Sequence, residues 1–161
     1  QFTYFVMVTR HWQNMYMKQV FCSCFKNKIM YKLSNKSRTR ISGIKPVLID
    51  ILIEGIKESP FDFGIPEDGG LRTDQDQLDM FAIGRTVQLH RDPVTWTLNS
   101  YHKTGKAFDI FAYVDGEASW DMEHLEPIAR HLQKIAMEMF CIKLQWGFDL
   151  WGKDGAHFQI D

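Results

Sequence analysis

Two short segments that lie far apart in the chain place the strongest constraint on its fold. One contains His102 and Asp109, and the other, close to the C-terminal end, contains Asp154 and His157. Two imidazoles and one carboxylate can hold a zinc ion on three sides and leave a fourth position open, while a second carboxylate can take a proton from water. A fold that uses this chemistry must bring the two segments together.

The residues around these side chains indicate how the ligands are carried. Gly105 lets the chain turn between His102 and Asp109, which suits one ligand just before a strand and another inside it. His157 opens the last apolar segment, so a third ligand could come from a neighbouring strand.

The composition is that of an ordinary globular domain. The chain has 161 residues, of which 45% are hydrophobic and 24% charged, enough for one domain with a core. No stretch approaches the roughly 18 consecutive apolar residues of a membrane span, so stable membrane insertion is not expected. The apolar opening from Phe2 to Val8 lacks the basic segment and cleavage site of a secretory signal.

Charge is distributed unevenly along the chain. Residues 1–45 contain nine basic residues and no acidic one, whereas the rest contain ten basic and twenty acidic residues. A basic arm on an acidic body can attract an anionic surface such as nucleic acid, lipid headgroups or a cell wall. It can equally be a solvated, poorly ordered leader, so charge alone leaves both interpretations open.

The three cysteines indicate neither a disulfide framework nor a thiolate metal site. Cys22 and Cys24 are too close together for a comfortable bridge, and Cys141 makes the number odd. A reducing site of synthesis is the better expectation.

Apolar periodicity and turn residues predict three helices and several short strands. The predicted helices cover 44–58, 74–83 and 122–140, and the predicted strands cover 61–65, 107–114, 142–146 and 158–160. Residues 85–99 are expected to form an irregular loop around Pro93. Because no regular βαβ alternation is present, the fold class expected is α+β, a small antiparallel sheet packed against two or three helices with the zinc site on the sheet.

The domain boundary is expected near residue 30. Residues 31–161 are predicted to form the catalytic domain, and residues 1–30 a leader or extension of unknown role that could contain a helix around Trp12 to Phe25.

Several ordered motifs resemble the zinc D,D-peptidase-like family, and within it the phage L-alanyl-D-glutamate endopeptidases. They are a Gly-x-Arg-Thr-x-x-x-Gln element, the end of the helix that follows it, a Ser-x-His-x-x-Gly-x-Ala-x-Asp signature, a Trp-Gly pair and a C-terminal motif. In this chain they occupy Gly70 to Gln77, Phe81 to Thr86, Ser100 to Asp109, Trp146-Gly147 and Asp154 to Gln159. The resemblance covers about 130 residues and implies the hedgehog/D,D-peptidase-like fold.

The resemblance also implies a division of labour among the polar residues. His102, Asp109 and His157 would bind one Zn²⁺ per chain, and Asp154 would be the general base. Many members of the family have Glu at the position of Asp154, whereas the phage members are similar to this chain in having Asp.

Four further residues are candidates for substrate contacts. Arg72 is expected beside the zinc, where its permanent charge suits an acidic stem peptide and an oxyanion. Gln77 is expected to support this region by hydrogen bonding and Ser100 to orient the loop or a ligand, with a purely structural part open for both. Trp151 is close enough to Asp154 to face the substrate. The four histidines outside the motifs are expected at the surface or at its boundary with the core: His11, His90, His124 and His131.

The function implied is that of a zinc-dependent peptidoglycan peptidase, an endolysin that hydrolyses the L-alanyl-D-glutamate bond of the stem peptide and so lyses bacterial cells. Two alternatives remain open, a D-alanyl-D-alanine carboxypeptidase or dipeptidase with the same zinc site, and a non-catalytic cell-wall-binding module. The expected partners are peptidoglycan stem peptides and no nucleic acid, and a monomer is expected. The location implied is the host bacterial cytoplasm until another protein opens the membrane.

Overall fold

The structure, a computed structural model, describes residues 30–161, in which helices and short strands are interspersed. The helices are α1 (Asn35–Arg40), α2 (Pro46–Lys57), α3 (Asp74–Ala82), α4 (Met122–Phe140) and α5 (Gly147–Trp151), with a 3-10 helix over Tyr101–Thr104. The strands are β1 (Asp62–Gly64), β2 (Ala107–Asp109), β3 (Phe111–Val114), β4 (Glu117–Ser119), β5 (Gln145–Trp146) and β6 (His157–Gln159).

Helices α2 and α4 form the helical layer because each has one apolar face. Their buried residues recur at helical spacing and join one hydrophobic core with the strands. Pro46 occupies the first turn of α2, where its missing N–H costs no hydrogen bond. His131 on α4 donates from Nε2 to the carbonyl oxygen of Gly55 at 2.8 Å and ties the two helices together.

The strands form two antiparallel three-stranded sheets, with the orders β1-β3-β4 and β2-β6-β5. The single strand predicted over 107–114 is divided at Ile110, which is fully buried and donates its backbone N–H to the carbonyl oxygen of Ala156 at 3.0 Å. Residues before Ile110 pair with β6, and those after it pair with β1 and β4. This break places Asp109 at the end of β2, beside the first residue of β6.

The α+β class is confirmed, as are the three predicted helices to within two residues at each end. Sequence periodicity did not predict α1, α5 or β4, which are too short to show a repeating pattern. The strand predicted over 142–146 shortens to β5 because Cys141 has a φ of +54° and the backbone N–H of Ile142 still bonds to Ala136 at the end of α4.

Some predictions fall on residues that the structure does not describe. The helix around Trp12 to Phe25 and the Cys22–Cys24 pair lie outside the described residues, and the division of the chain at residue 30 stays a prediction. Cys141 is a free, exposed thiol. Between residues 30 and 161, no helix combines the length and the apolar character needed to cross a bilayer.

Candidate metal centre and substrate pocket

His102 is presented by the 3-10 helix that precedes β2. Ser100 caps this helix, because its Oγ accepts a hydrogen bond from the backbone N–H of His102 at 3.3 Å. Gly105 ends the helix with a φ of +65°, and a Cβ there would lie 2.9 Å from the carbonyl oxygen of Gly43. Ser100 and Gly105 thus fix the loop that carries His102, whose side chain is buried.

Asp109 and His157 face each other because of the register between β2 and β6. The two residues are direct partners in this antiparallel pair. Side chains alternate between the two faces of a strand, so the neighbouring pair, Phe108 and Phe158, points into the core, where the rings stack with centroids 5.1 Å apart. The same alternation brings Gln159 to the face that carries His157.

Three candidate ligand atoms meet at this point. Asp109 Oδ1 lies 3.2 Å from His102 Nε2 and 3.0 Å from His157 Nδ1, and the two imidazole nitrogens are 3.2 Å apart. Each atom is therefore close to both of the others, in an arrangement that could hold a metal ion. The structure brings together the three residues that the sequence predicted as metal ligands.

The outer nitrogen of each imidazole is held by an acceptor. His102 Nδ1 donates to the carbonyl oxygen of Gly70 at 2.8 Å, and His157 Nε2 donates to Oε1 of Gln159 at 3.0 Å. Gln159 is oriented in turn, because its amide nitrogen donates to Oε1 of Gln145 at 2.9 Å. Protons on the outer nitrogens leave the inner ones with free lone pairs, as a metal ligand requires.

The electrostatics of the cluster favour a bound cation. Burial alone would raise the pKa of Asp109, but the adjacent His102 and His157 hold that pKa well below its usual range. Burial works to lower the pKa of His157, yet the hydrogen bond and the charge of Asp109 outweigh it and raise the pKa. Positive charge is thus favoured beside the Asp109 carboxylate.

Asp154 lies in the turn between α5 and β6, and it lines the same pocket as His102, Asp109 and His157. Its φ of +66° is a left-handed conformation that Asp tolerates better than most residues. Gly147 makes room for this turn, because a Cβ at that position would come within 2.6 Å of the Asp154 carbonyl oxygen. Partial burial and the nearby Asp109 charge raise the pKa of Asp154, which suits a group that accepts and returns a proton.

Arg72 contacts the metal-ligand cluster from the side. Its Nη2 donates to the second carboxylate oxygen of Asp109 at 2.6 Å, and its Nε donates to the carbonyl oxygen of Asp68 at 2.6 Å. Within residues 30–161, Nη1 is the guanidinium nitrogen without a hydrogen-bond partner. Arg72 thus orients Asp109 and still has one donor for a ligand.

A pocket of about 700 Å³ opens beside these residues, within the usual range for small-molecule sites. Arg72, Ser100 and Trp151, three of the candidates for substrate contacts, line it, and the Trp151 ring lies 5.5 Å from that of His157. Gln77 does not line it. Its side chain is 1% exposed, so it cannot touch a substrate, and it donates instead to the loop at Thr95 and Thr97.

Sequence reasoning missed several residues of this pocket. Trp96 and Lys153 line it, and neither belongs to a motif of the family. The signal that could have found Trp96 is a large aromatic residue in a polar, irregular loop, because such residues often mark binding sites. Gln159 was inside a quoted motif but carried no assigned role.

Two imidazoles and one carboxylate around an open position, with a second carboxylate nearby, are typical of metal-dependent hydrolases. The chain belongs to the phage L-alanyl-D-glutamate peptidase family, whose model matches residues 29–160. This confirms the family that the sequence motifs predicted.

Two relatives support the assignment. The chain is 29% identical over 128 residues to the L-alanyl-D-glutamate peptidase of Escherichia phage T5, over 79% of this chain and 86% of that protein. The crystal structure of the L-Ala D-Glu endopeptidase ChiX of Serratia marcescens is similar with a TM-score of 0.68 at 28% identity. That match covers 84% of this chain and 94% of the other.

Proposed function

We propose that the protein is a zinc-dependent peptidoglycan peptidase that hydrolyses the L-alanyl-D-glutamate bond of the stem peptide. The observation that carries the proposal is the cluster of His102, Asp109 and His157, with ligand atoms 3.0–3.2 Å apart in a pocket that also contains Asp154. The family of the chain and the activity named for its phage T5 and Serratia relatives support the choice of bond.

Zinc fits the donor set of the cluster. Ligands that bind tetrahedral zinc at 2.0–2.1 Å lie about 3.3 Å from one another, close to the spacing of these three atoms. Imidazoles favour zinc over magnesium or calcium, although iron(II) uses the same combination of two histidines and one carboxylate. Metal analysis of the purified protein by mass spectrometry, with about one zinc per chain expected, distinguishes the two metals.

Each part of the hydrolysis has a residue to perform it. When bound, zinc would act as a Lewis acid that polarises the scissile carbonyl and makes water more acidic. Asp154 takes a proton from the attacking water and later gives it to the nitrogen of the leaving D-glutamyl residue. The new carboxyl group then loses the second proton of the water to the amine, so the products are a carboxylate on L-alanine and an ammonium group on D-glutamate, and atoms and charges balance.

Arg72 supports the reaction through the second oxygen of the Asp109 carboxylate. Its Nη2 holds the Asp109 carboxylate in orientation, and its free Nη1 can donate to the developing negative charge on the carbonyl oxygen. A guanidinium suits both contacts because it is planar and permanently charged.

The setting that we propose is that of a phage endolysin. The protein would accumulate as a monomer in the host bacterial cytoplasm and reach the cell wall after another protein opens the membrane. Cell fractionation before and after lysis, together with size-exclusion chromatography, tests this part of the proposal.

The decisive experiment is mass spectrometry of muropeptides digested by the purified protein. A new free amine on D-glutamate is the expected result. Loss of a terminal D-alanine would identify a D-alanyl-D-alanine carboxypeptidase or dipeptidase instead. Binding to purified walls without any new amine, in the presence of zinc, would identify a non-catalytic wall-binding module.

A further inference from the structure

We propose that Trp96 and Lys153 form a subsite that binds a substrate carboxylate next to the scissile bond, and that Gln77 and Arg85 hold Trp96 in place. The inference rests on the proposed function, because it takes an acidic peptide as the substrate. It concerns a wall of the pocket that the metal-ligand cluster does not include.

The loop that carries Trp96 is fixed on both sides of that residue. Gln77 Nε2 donates to Oγ1 of Thr95 at 3.1 Å and to the carbonyl oxygen of Thr97 at 2.7 Å. Arg85 Nη2 donates to the carbonyl oxygen of Thr95 at 2.9 Å. Hydrogen bonds at Thr95 and Thr97 limit the orientations of the residue between them, so this irregular loop presents Trp96 in a defined position.

Two cations lie against the exposed Trp96 ring. The ring is 69% exposed, and its centroid lies 5.0 Å from Lys153 Nζ and 5.5 Å from Arg85 Cζ. A cation over an indole is attracted by the negative face of the ring. Lys153 therefore has a preferred place against the pocket wall, although its side chain is exposed.

Lys153 supplies the unpaired positive charge of the pocket lining. Arg72, which also lines the pocket, is paired with Asp109 at 2.6 Å. Among the described residues, by contrast, no carboxylate lies within 4.0 Å of Lys153 Nζ. A ligand with a negative group would complete this wall of the pocket.

A peptide cut at an alanyl-glutamate bond carries such a group. Glutamate has two carboxyl groups, and extension of the peptide through one of them leaves the other ionised within a few bonds of the scissile nitrogen. Asp154 must reach that nitrogen to protonate it, and Lys153 is the residue before Asp154 and lines the same pocket. Lys153 and Asp154 therefore line one pocket, where a carboxylate within a few bonds of that nitrogen can meet the ammonium group of Lys153.

A matched pair of peptides tests the subsite. Both contain L-alanyl-D-glutamate extended through the side-chain carboxyl, one with a free α-carboxylate and the other with an α-carboxamide. We expect the wild-type protein to prefer the carboxylate by about tenfold in kcat/KM, mainly through KM, as for a charge-assisted contact. Lys153→Met should abolish the preference, and Lys153→Arg should keep it.

The control is Lys143→Met, which removes an exposed lysine that does not line the pocket and should behave as the wild type. No preference in the wild-type protein, or an unchanged preference in Lys153→Met, overturns the subsite. Loss of the preference in an Arg72→Lys protein but not in Lys153→Met would assign the carboxylate to Arg72 and also overturn it.

The positioning of Trp96 is tested by separating KM from kcat. Trp96→Leu, at an exposed position that leaves the core intact, and Gln77→Met should both raise KM for the carboxylate peptide several-fold. Both should leave kcat within about twofold of the wild-type value and zinc content unchanged. Trp96→Phe should have a KM close to that of the wild-type protein. A fall in kcat and zinc content along with the rise in KM would show a merely structural role for Gln77, and no change in Trp96→Leu would overturn the subsite.

Binding measurements keep this inference separate from the proposed function. If the wild-type protein cleaves neither peptide, the proposed function fails, and calorimetry with the Asp154→Asn protein still decides the subsite. Tighter binding of the carboxylate peptide, lost when Lys153→Met is added, supports it. Equal binding of the two peptides overturns it.

Discussion

The two walls of the pocket are built in different ways. The metal-ligand wall rests on paired strands, with Asp109 opposite His157 and their neighbours Phe108 and Phe158 stacked in the core. The other wall comes from irregular segments, and its most prominent side chain, Trp96, is mostly exposed.

The difference indicates how catalysis and selectivity can be separated in one small protein. Ligand atoms must stay within a few tenths of an ångström of their places, and a buried strand pair supplies that rigidity. Contacts that select a peptide can lie on loops, where a substitution changes affinity without disturbing the core.

The largest effect on activity is expected from removal of a residue in the metal-ligand wall. His157→Ala deletes one of three ligands, so zinc content and lysis of purified cell walls should both fall to background. Mass-spectrometric metal analysis and a turbidity assay measure the two outcomes. His90→Ala, an exposed histidine outside the site, should retain both. Full lysis by His157→Ala would remove the cluster from the mechanism.

Asp154→Asn should separate metal binding from turnover. The amide cannot accept the proton of the attacking water, so kcat should fall by about 10²–10⁴-fold while zinc content stays near one per chain. A peptide cleavage assay and metal analysis on the same sample provide the comparison. Wild-type turnover in this variant would exclude Asp154 as the base.

Stability should depend on the two walls very unequally. Phe108→Ala removes a fully buried ring and should lower the free energy of unfolding by about 3–5 kcal/mol. Trp96→Ala removes an exposed ring and should cost less than about 1 kcal/mol. Urea unfolding of both variants measures the difference. Equal losses would mean that the Trp96 loop is part of the structural core.

The smallest effect on stability is expected at the ion pair that joins α5 to α4. Arg130 binds both carboxylate oxygens of Asp149, at 2.6 and 2.9 Å, and lowers the pKa of Asp149. Because the pKa of Asp149 is lower in the folded state, the pair stabilises the fold at pH values above the unfolded-state pKa of about 3.9. This contribution is lost as the pH falls through the lower folded-state pKa. Because the pair is exposed, Arg130→Met should cost at most about 1 kcal/mol near pH 7.

The pH dependence of the Arg130→Met effect is the test of its cause. The difference from the wild-type protein should shrink towards zero in acid unfolding experiments, as Asp149 becomes protonated in both. Lys134→Met, at a weaker exposed ion pair with Glu138, is the control. A difference that persists in acid would assign the effect to the stacking of Arg130 on Trp146, at 4.8 Å, rather than to charge.

Much of the fold was predictable because its signals are local. The α4 helix shows its apolar repeat over nineteen residues. Pro46 marks the start of α2, and Pro60 marks the region where it ends. The turn at Gly105 is likewise a property of one residue. Short elements such as α5 could not be predicted, because five residues show no period and their stability comes from contacts such as Arg130 with Asp149.

The ordered motifs alone predict the residues for the chemistry, His102, Asp109, Asp154 and His157, and residue type limits what each can do. The folded structure was needed to show that Asp109 faces His157, that Arg72 binds Asp109, and that Trp96 meets Lys153. Strand register and loop position depend on packing between residues about fifty positions apart, such as Phe108 and Phe158, and no local pattern encodes such contacts.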